Sequence, residues 1–156
     1  MNIAEIKRYQ LISELIREGL RLSIVSSLTG VSTASIGKLW KDIHGTMPTR
    51  GKLPDSILSF MRNQETAAII SSYAVFFQKA YGNKMTPENL LQSIRDFRAL
   101  TSLPLDINAA FFANMNVQAK IVWLTKCVSC KSLFIFSPCA HTINRRQGEN
   151  CPYCHK

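Results

Sequence analysis

The sequence predicts a mainly α fold in two parts. A helical N-terminal region with a helix-turn-helix-like motif spans residues 1–116, and a small four-cysteine, ribbon-like module spans residues 117–156. Three observations predict it. Apolar residues recur at helical spacing through most of the first part. A single glycine, Gly30, separates two of these periodic runs by only a short turn. Two Cys-x2-Cys pairs, "CVSC" at 127–130 and "CPYC" at 151–154, lie 20 residues apart.

Residues 3–18 form the first expected helix: Ile6, Tyr9, Ile12 and Ile16 share a face with Leu15 beside them, and Gly19 is a stop. "RLSIVSSLTGVSTASIGKLWKDIHG" then gives a helix over Leu22 to Leu28, a turn at Gly30, and a second helix from the N-cap Ser32 to about Ile43. Helices that cross steeply need a small residue where they touch, here Ser26, and a turn residue that tolerates positive φ, here Gly30. Val25, Val31, Ile36 and Leu39 are the apolar anchors. Ile36, Leu39, Trp40 and Ile43 fall within an arc of about 100°. Ala34, Lys38 and Lys41 point the other way, leaving a small and basic outer face. Such a face suits a helix that meets the DNA major groove, with Ser32, Thr33 and Ser35 near its start available to phosphates or bases. A structural helical hairpin with glycine in its turn is the plainer alternative.

The Pro/Gly-rich stretch "HGTMPTRGKLPDS" is a connection in which Arg50 and Lys52 could lie on a DNA backbone. A helix is expected over 56–81. Its section "AAIISSYAVFF" is apolar around most of its circumference, so it is either buried centrally or shared with another subunit. Thr86 as cap and Pro87 at the first position start a helix to about Leu100, and Asp106 caps one through about Met115.

"AKIVWLTK" and "SLFIF" are β-branched or aromatic and read as the two short strands around the first cysteine pair. Two Cys-x2-Cys knuckles complete a tetrahedron of four thiolates, so Cys127, Cys130, Cys151 and Cys154 are expected to hold one structural Zn²⁺. Disulfides are the competing reading. They need an oxidising compartment, and the five cysteines are an odd count. Cys139, His141 and His155 are spare in this scheme. The ion would replace a core that so short a tail cannot build.

The charge points outward to partners. There are 19 basic against 10 acidic residues, a net charge of +9, which favours an anionic partner with nucleic acid first. Lys126, Lys131, Arg145 and Arg146 would add basic surface around the cysteine module. "MNIAEIKRYQ" has no apolar core of a secretory signal, and the run Ala67 to Phe77, broken by Ser71 and Ser72, is too short to span a bilayer. The expectation is a cytoplasmic protein with no membrane partner. No paired carboxylates or Cys/His nucleophile arrangement carries a supporting motif, and a four-sulfur site has no vacancy, so the expectation is a non-enzyme.

With the helix-turn-helix stretch, the run of Gly45, Pro48, Gly51, Leu53 and Pro54, and "CVSC…CPYC" in place, the chain resembles the FlhC family, the zinc-containing subunit of the bacterial flagellar master transcriptional activator. The order and spacing of the three features cover most of the chain. The loop between the cysteine pairs is somewhat longer than in that family, whose members usually continue past the last cysteine, whereas this sequence stops at Lys156. The resemblance implies a hetero-oligomer with a FlhD-type partner that binds double-stranded promoter DNA and activates transcription by RNA polymerase. It also implies zinc on Cys127, Cys130, Cys151 and Cys154. Similar subunits on conjugative elements activate transfer genes instead of flagellar ones. The alternative function is a zinc-stabilised protein-interaction adaptor without direct DNA readout.

Overall fold

The computed structural model describes residues 1–138 and 148–155. Among them six α-helices precede a two-stranded antiparallel sheet. The order is α1 (Ile3–Arg17), α2 (Leu22–Thr29), α3 (Thr33–His44), a 3-10 turn (Ile57–Ser59), α4 (Gln64–Tyr81), α5 (Pro87–Thr101), α6 (Ile107–Gln118), β1 (Trp123–Lys126) and β2 (Leu133–Phe136). No helix among the described residues is long and apolar enough to cross a membrane.

The start of the chain folds as its periodicity dictates. Asn2 and Glu5 cap α1 reciprocally, and Ile12, Leu15 and Ile16 are buried. The turns before them are not: Ile3 is 73% exposed, Ile6 44% and Tyr9 41%. The apolar face therefore packs only in its C-terminal half. α1 lies against both α2 and α3.

Between α2 and α3, Gly30 adopts φ +69° and its N–H donates to the carbonyl of Ser26. That left-handed conformation costs an L side chain about 1–2 kcal/mol, so the turn selects glycine. The Ser26 hydroxyl donates to the carbonyl of Val31 at 2.7 Å, fastening the turn from the inside. Ile36 is buried, while Val31, Leu39, Trp40 and Ile43 pack on the core from its edge. The expected helix-turn-helix arrangement is present, with its outer face exposed at Ala34, Lys38 and Lys41.

The continuous helix expected over 56–81 is broken. Asn63 and Thr66 form a reciprocal capping box at 2.9 and 3.2 Å, which starts α4 at Gln64. Ahead of it, the Ile57 N–H donates to the Asn116 side-chain oxygen of α6, fixing the 3-10 turn instead of a longer helix. α4 is the central helix, packed by α5, α6, β1 and β2 of its own chain. This decides between the two sequence alternatives in favour of central burial.

Val122 and Ile135 belong to the same apolar core as the helices. Polar anchors join them: the Ile135 N–H of β2 donates to the Ser71 hydroxyl at 3.0 Å, and Tyr153, between Cys151 and Cys154, shares a hydroxyl–hydroxyl bond with Ser72 at 2.9 Å. The two serines that interrupt the apolar run of α4 are the attachment points of the cysteine module.

Candidate metal centre and nucleic-acid interface

Each Cys-x2-Cys pair sits on a tight turn. The Cys127 N–H donates to the Ser132 carbonyl, closing the base of the hairpin, and the Lys131 N–H returns to the Cys127 carbonyl. The second turn repeats the pattern, with the His155 N–H donating to the Cys151 carbonyl. Lys131 and His155, each just past the second cysteine of its pair, both adopt φ +65°. This double repetition aims four sulfurs at one point: all four Sγ atoms lie within 4.8 Å of one another. Two of the pairs, Cys127 with Cys154 and Cys130 with Cys151, are 3.6 Å apart. A disulfide would need about 2.05 Å. Sulfurs tetrahedrally around Zn²⁺ at about 2.3 Å stand about 3.8 Å apart. The four cysteines can therefore hold a metal ion.

Their electrostatics ask for a cation. The Ser132 backbone N–H and hydroxyl lower the Cys130 thiol to about 6, and the Cys130 backbone N–H lowers that of Cys127. Burial pushes Cys151 up to about 11. The first turn thus offers thiolates readily, whereas the buried Cys151 sulfur gains a compensating charge only when a cation occupies the centre. Phe134 and the partly buried Phe136 and Tyr153 pack around the sulfurs.

A second candidate site lies beside α3. Residues 45–55 form a strap that runs back along the helix. Gly45 ends α3 with φ +71°, the Arg21 guanidinium holds the Gly51 carbonyl at 2.7 Å, and Leu53 packs on the core. Between strap and helix is a groove of about 630 Å³ whose lining includes Thr33, Lys38 and Lys41 of α3 and Arg50 of the strap. A larger cleft of about 810 Å³ between α4, α5 and α6 is lined by Arg62 and Arg98 but also by Glu65 and Asp106, so it has no single sign of charge.

The structure places the sequence-predicted DNA contacts that lie among the described residues in three groups. Thr33, Lys38, Lys41 and Arg50 come together in the groove. Ser32 and Ser35 bond each other at the start of α3, where the Ser32 hydroxyl oxygen accepts the Ser35 N–H. Lys52 is outside the groove lining and pairs with Asp55 at 3.1 Å on the exposed surface. Arg145 and Arg146 lie outside the described residues, as do Cys139 and His141. Sequence reasoning missed the strap as a groove wall, and it missed Ser71, Ser72 and Tyr153 as the struts of the metal centre. The two serines inside an apolar helix were the available signal for the latter.

A family model described as flagellar transcriptional activator (FlhC) matches residues 2–156. The chain is 26% identical to the flagellar transcriptional regulator FlhC of Nitrosomonas eutropha, over 98% of this chain and 81% of that protein. The protein of the same description from Variovorax paradoxus is 26% identical over 97% of this chain and 76% of its own length. The one from Sodalis glossinidius is 26% identical over 97% and 79%.

Proposed function

Since the chain belongs to the FlhC family of flagellar transcriptional activators, we propose that it is the DNA-binding subunit of a cytoplasmic hetero-oligomer with a FlhD-type partner. This complex binds double-stranded promoter DNA and activates transcription by RNA polymerase at flagellar or conjugative-transfer promoters. The observation that carries the reading is the groove beside α3, where Lys38, Lys41 and Arg50 converge with no acidic residue in the lining. Cations on the outer face of a helix-turn-helix neutralise phosphates and set the protein's position on the duplex.

The ion proposed for Cys127, Cys130, Cys151 and Cys154 is Zn²⁺, which supplies a four-sulfur crosslink in place of an apolar core and leaves no position for a substrate. The cysteine turns then hold β1 and β2 on α4 and present Lys126 and Lys131, both exposed, on the same module. The exposed apolar residues of α1, Ile3, Ile6 and Tyr9, give the FlhD-type subunit a surface to cover.

Binding of the purified complex to duplex DNA across salt concentrations tests the reading. Neutralising several phosphates gives a steep negative slope of log affinity against log salt. A flat slope would remove the electrostatic basis. If Lys38→Ala with Lys41→Ala left both complex formation and DNA affinity intact, the chain would instead be a zinc-stabilised adaptor.

A further inference from the structure

Gly37 occupies the interior of α3, where glycine loses more backbone freedom on folding than alanine does. The fold gives no reason for it. Its φ is not left-handed, and a Cβ built there meets nothing within 4 Å. The residue lines the groove, next to Ala34 and among the three cations.

Those cations are available. No side-chain hydrogen bond or ion pair engages Lys38, Lys41 or Arg50 among the described residues, in contrast to Lys52 beside its Asp55. The strap that carries Arg50 is tied to the N-cap of α2 by the Arg21–Gly51 bond and to the core by Leu53.

We propose that this groove seats the sugar-phosphate backbone of one DNA strand. Lys38 and Lys41 lie on one side of the strand and Arg50 on the other, and Gly37 is bare so that the strand can rest against the helix. This seat presupposes the DNA-binding reading above and deepens it. The strap becomes part of the interface, and the contact positions the protein instead of reading bases. Removing a phosphate contact lowers affinity equally on every sequence, whereas removing a base contact does not.

The test uses the full chain with its FlhD-type partner, a promoter duplex bound by the parent complex, and a duplex of random sequence. Arg50→Ala should weaken binding about tenfold on both duplexes, the loss of one charge-assisted contact. It should also make the salt slope less negative by about 0.9. Gly37→Ala should raise Tm by about 2–4 °C and still weaken binding to both. Opposite signs on stability and affinity are what a purely structural role cannot give. Parental affinity in both variants would overturn the seat. If Lys38→Ala with Lys41→Ala also bound normally, the DNA-binding reading would fall as well. If that pair weakened binding alone, only the seat would fall. A loss confined to the promoter duplex would overturn the backbone assignment, because it would place base contacts in the groove.

Discussion

Removing the Zn²⁺ proposed for Cys127, Cys130, Cys151 and Cys154 should loosen the cysteine module on α4. A structural four-sulfur Zn²⁺ site contributes on the order of 10–16 kcal/mol of apparent folding free energy at neutral pH. That is the scale of a whole domain's stability, about 5–15 kcal/mol. The anchors outside the site are smaller: the bonds from Ile135 N–H to Ser71 and between Tyr153 and Ser72 are worth about 0.5–1.5 kcal/mol each, and the buried side chains of Val122 and Ile135 about 1.5–3 kcal/mol each. Without a shared ion these contacts should keep the strands near α4 but leave them opening far more often. Chelation under reducing conditions, followed by hydrogen exchange read by mass spectrometry, should show protection lost in β1 (Trp123–Lys126) and β2 (Leu133–Phe136). The exchange of α1, whose Ile12, Leu15 and Ile16 pack far along the chain from the cysteines, should rise less. Alkylation of Cys151, buried in the intact protein, should become fast. Unchanged exchange in both strands after zinc loss is verified by elemental analysis would refute the claim that the ion holds the module.

Three further outcomes follow from the packing. Gly30→Ala places a Cβ at φ +69°, 3.2 Å from the Arg8 guanidinium, and should cost about 1–2 kcal/mol in urea unfolding; a neutral result would contradict the strained turn. Asn63→Ala removes the α4 cap and should cost about 1 kcal/mol, mainly by fraying Gln64 to Thr66 in exchange data. Burial pushes the Tyr73 phenol up to about 12, although Ser93 and Asn114 bond it. Unfolded tyrosine titrates near 10, so the stability from keeping Tyr73 neutral is whole below about pH 10 and is lost as pH climbs toward 12. That loss is on the order of 2–3 kcal/mol. Tyr73→Phe should be less stable at neutral pH, because Asn114 and Ser93 lose a partner, yet flatter between pH 10 and 12. Parallel curves would contradict it.

What the sequence reveals here depends on how local the cause is. Gly30, Ser32, Thr86 with Pro87, and Asp106 act within one turn of where they stand, and each cap appears where local chemistry puts it. Each cysteine turn is equally local, whereas the meeting of the two turns also draws on the packing of Ile135 and Tyr153 against Ser71 and Ser72 of α4. The break before α4 has a local half, the Asn63–Thr66 capping box that the sequence reading passed over, and a nonlocal half, Asn116 taking the Ile57 N–H from far along the chain. The coverage of α4 is also nonlocal: an all-round apolar helix reads the same whether its own chain or another subunit surrounds it. The groove needed the strap's path, which Arg21 sets by holding Gly51. Lys38 and Arg50 could be named from the sequence as basic residues, but not as opposite walls of one channel.

Amine and guanidinium footprinting of the complex, with and without duplex DNA, reads the groove beside α3 residue by residue. DNA should shield Lys38, Lys41 and Arg50 from reagent, while the exposed Lys79 at the end of α4 and Lys120 before β1 react as before. Equal labelling of all five in free and DNA-bound complex would contradict DNA binding through this groove.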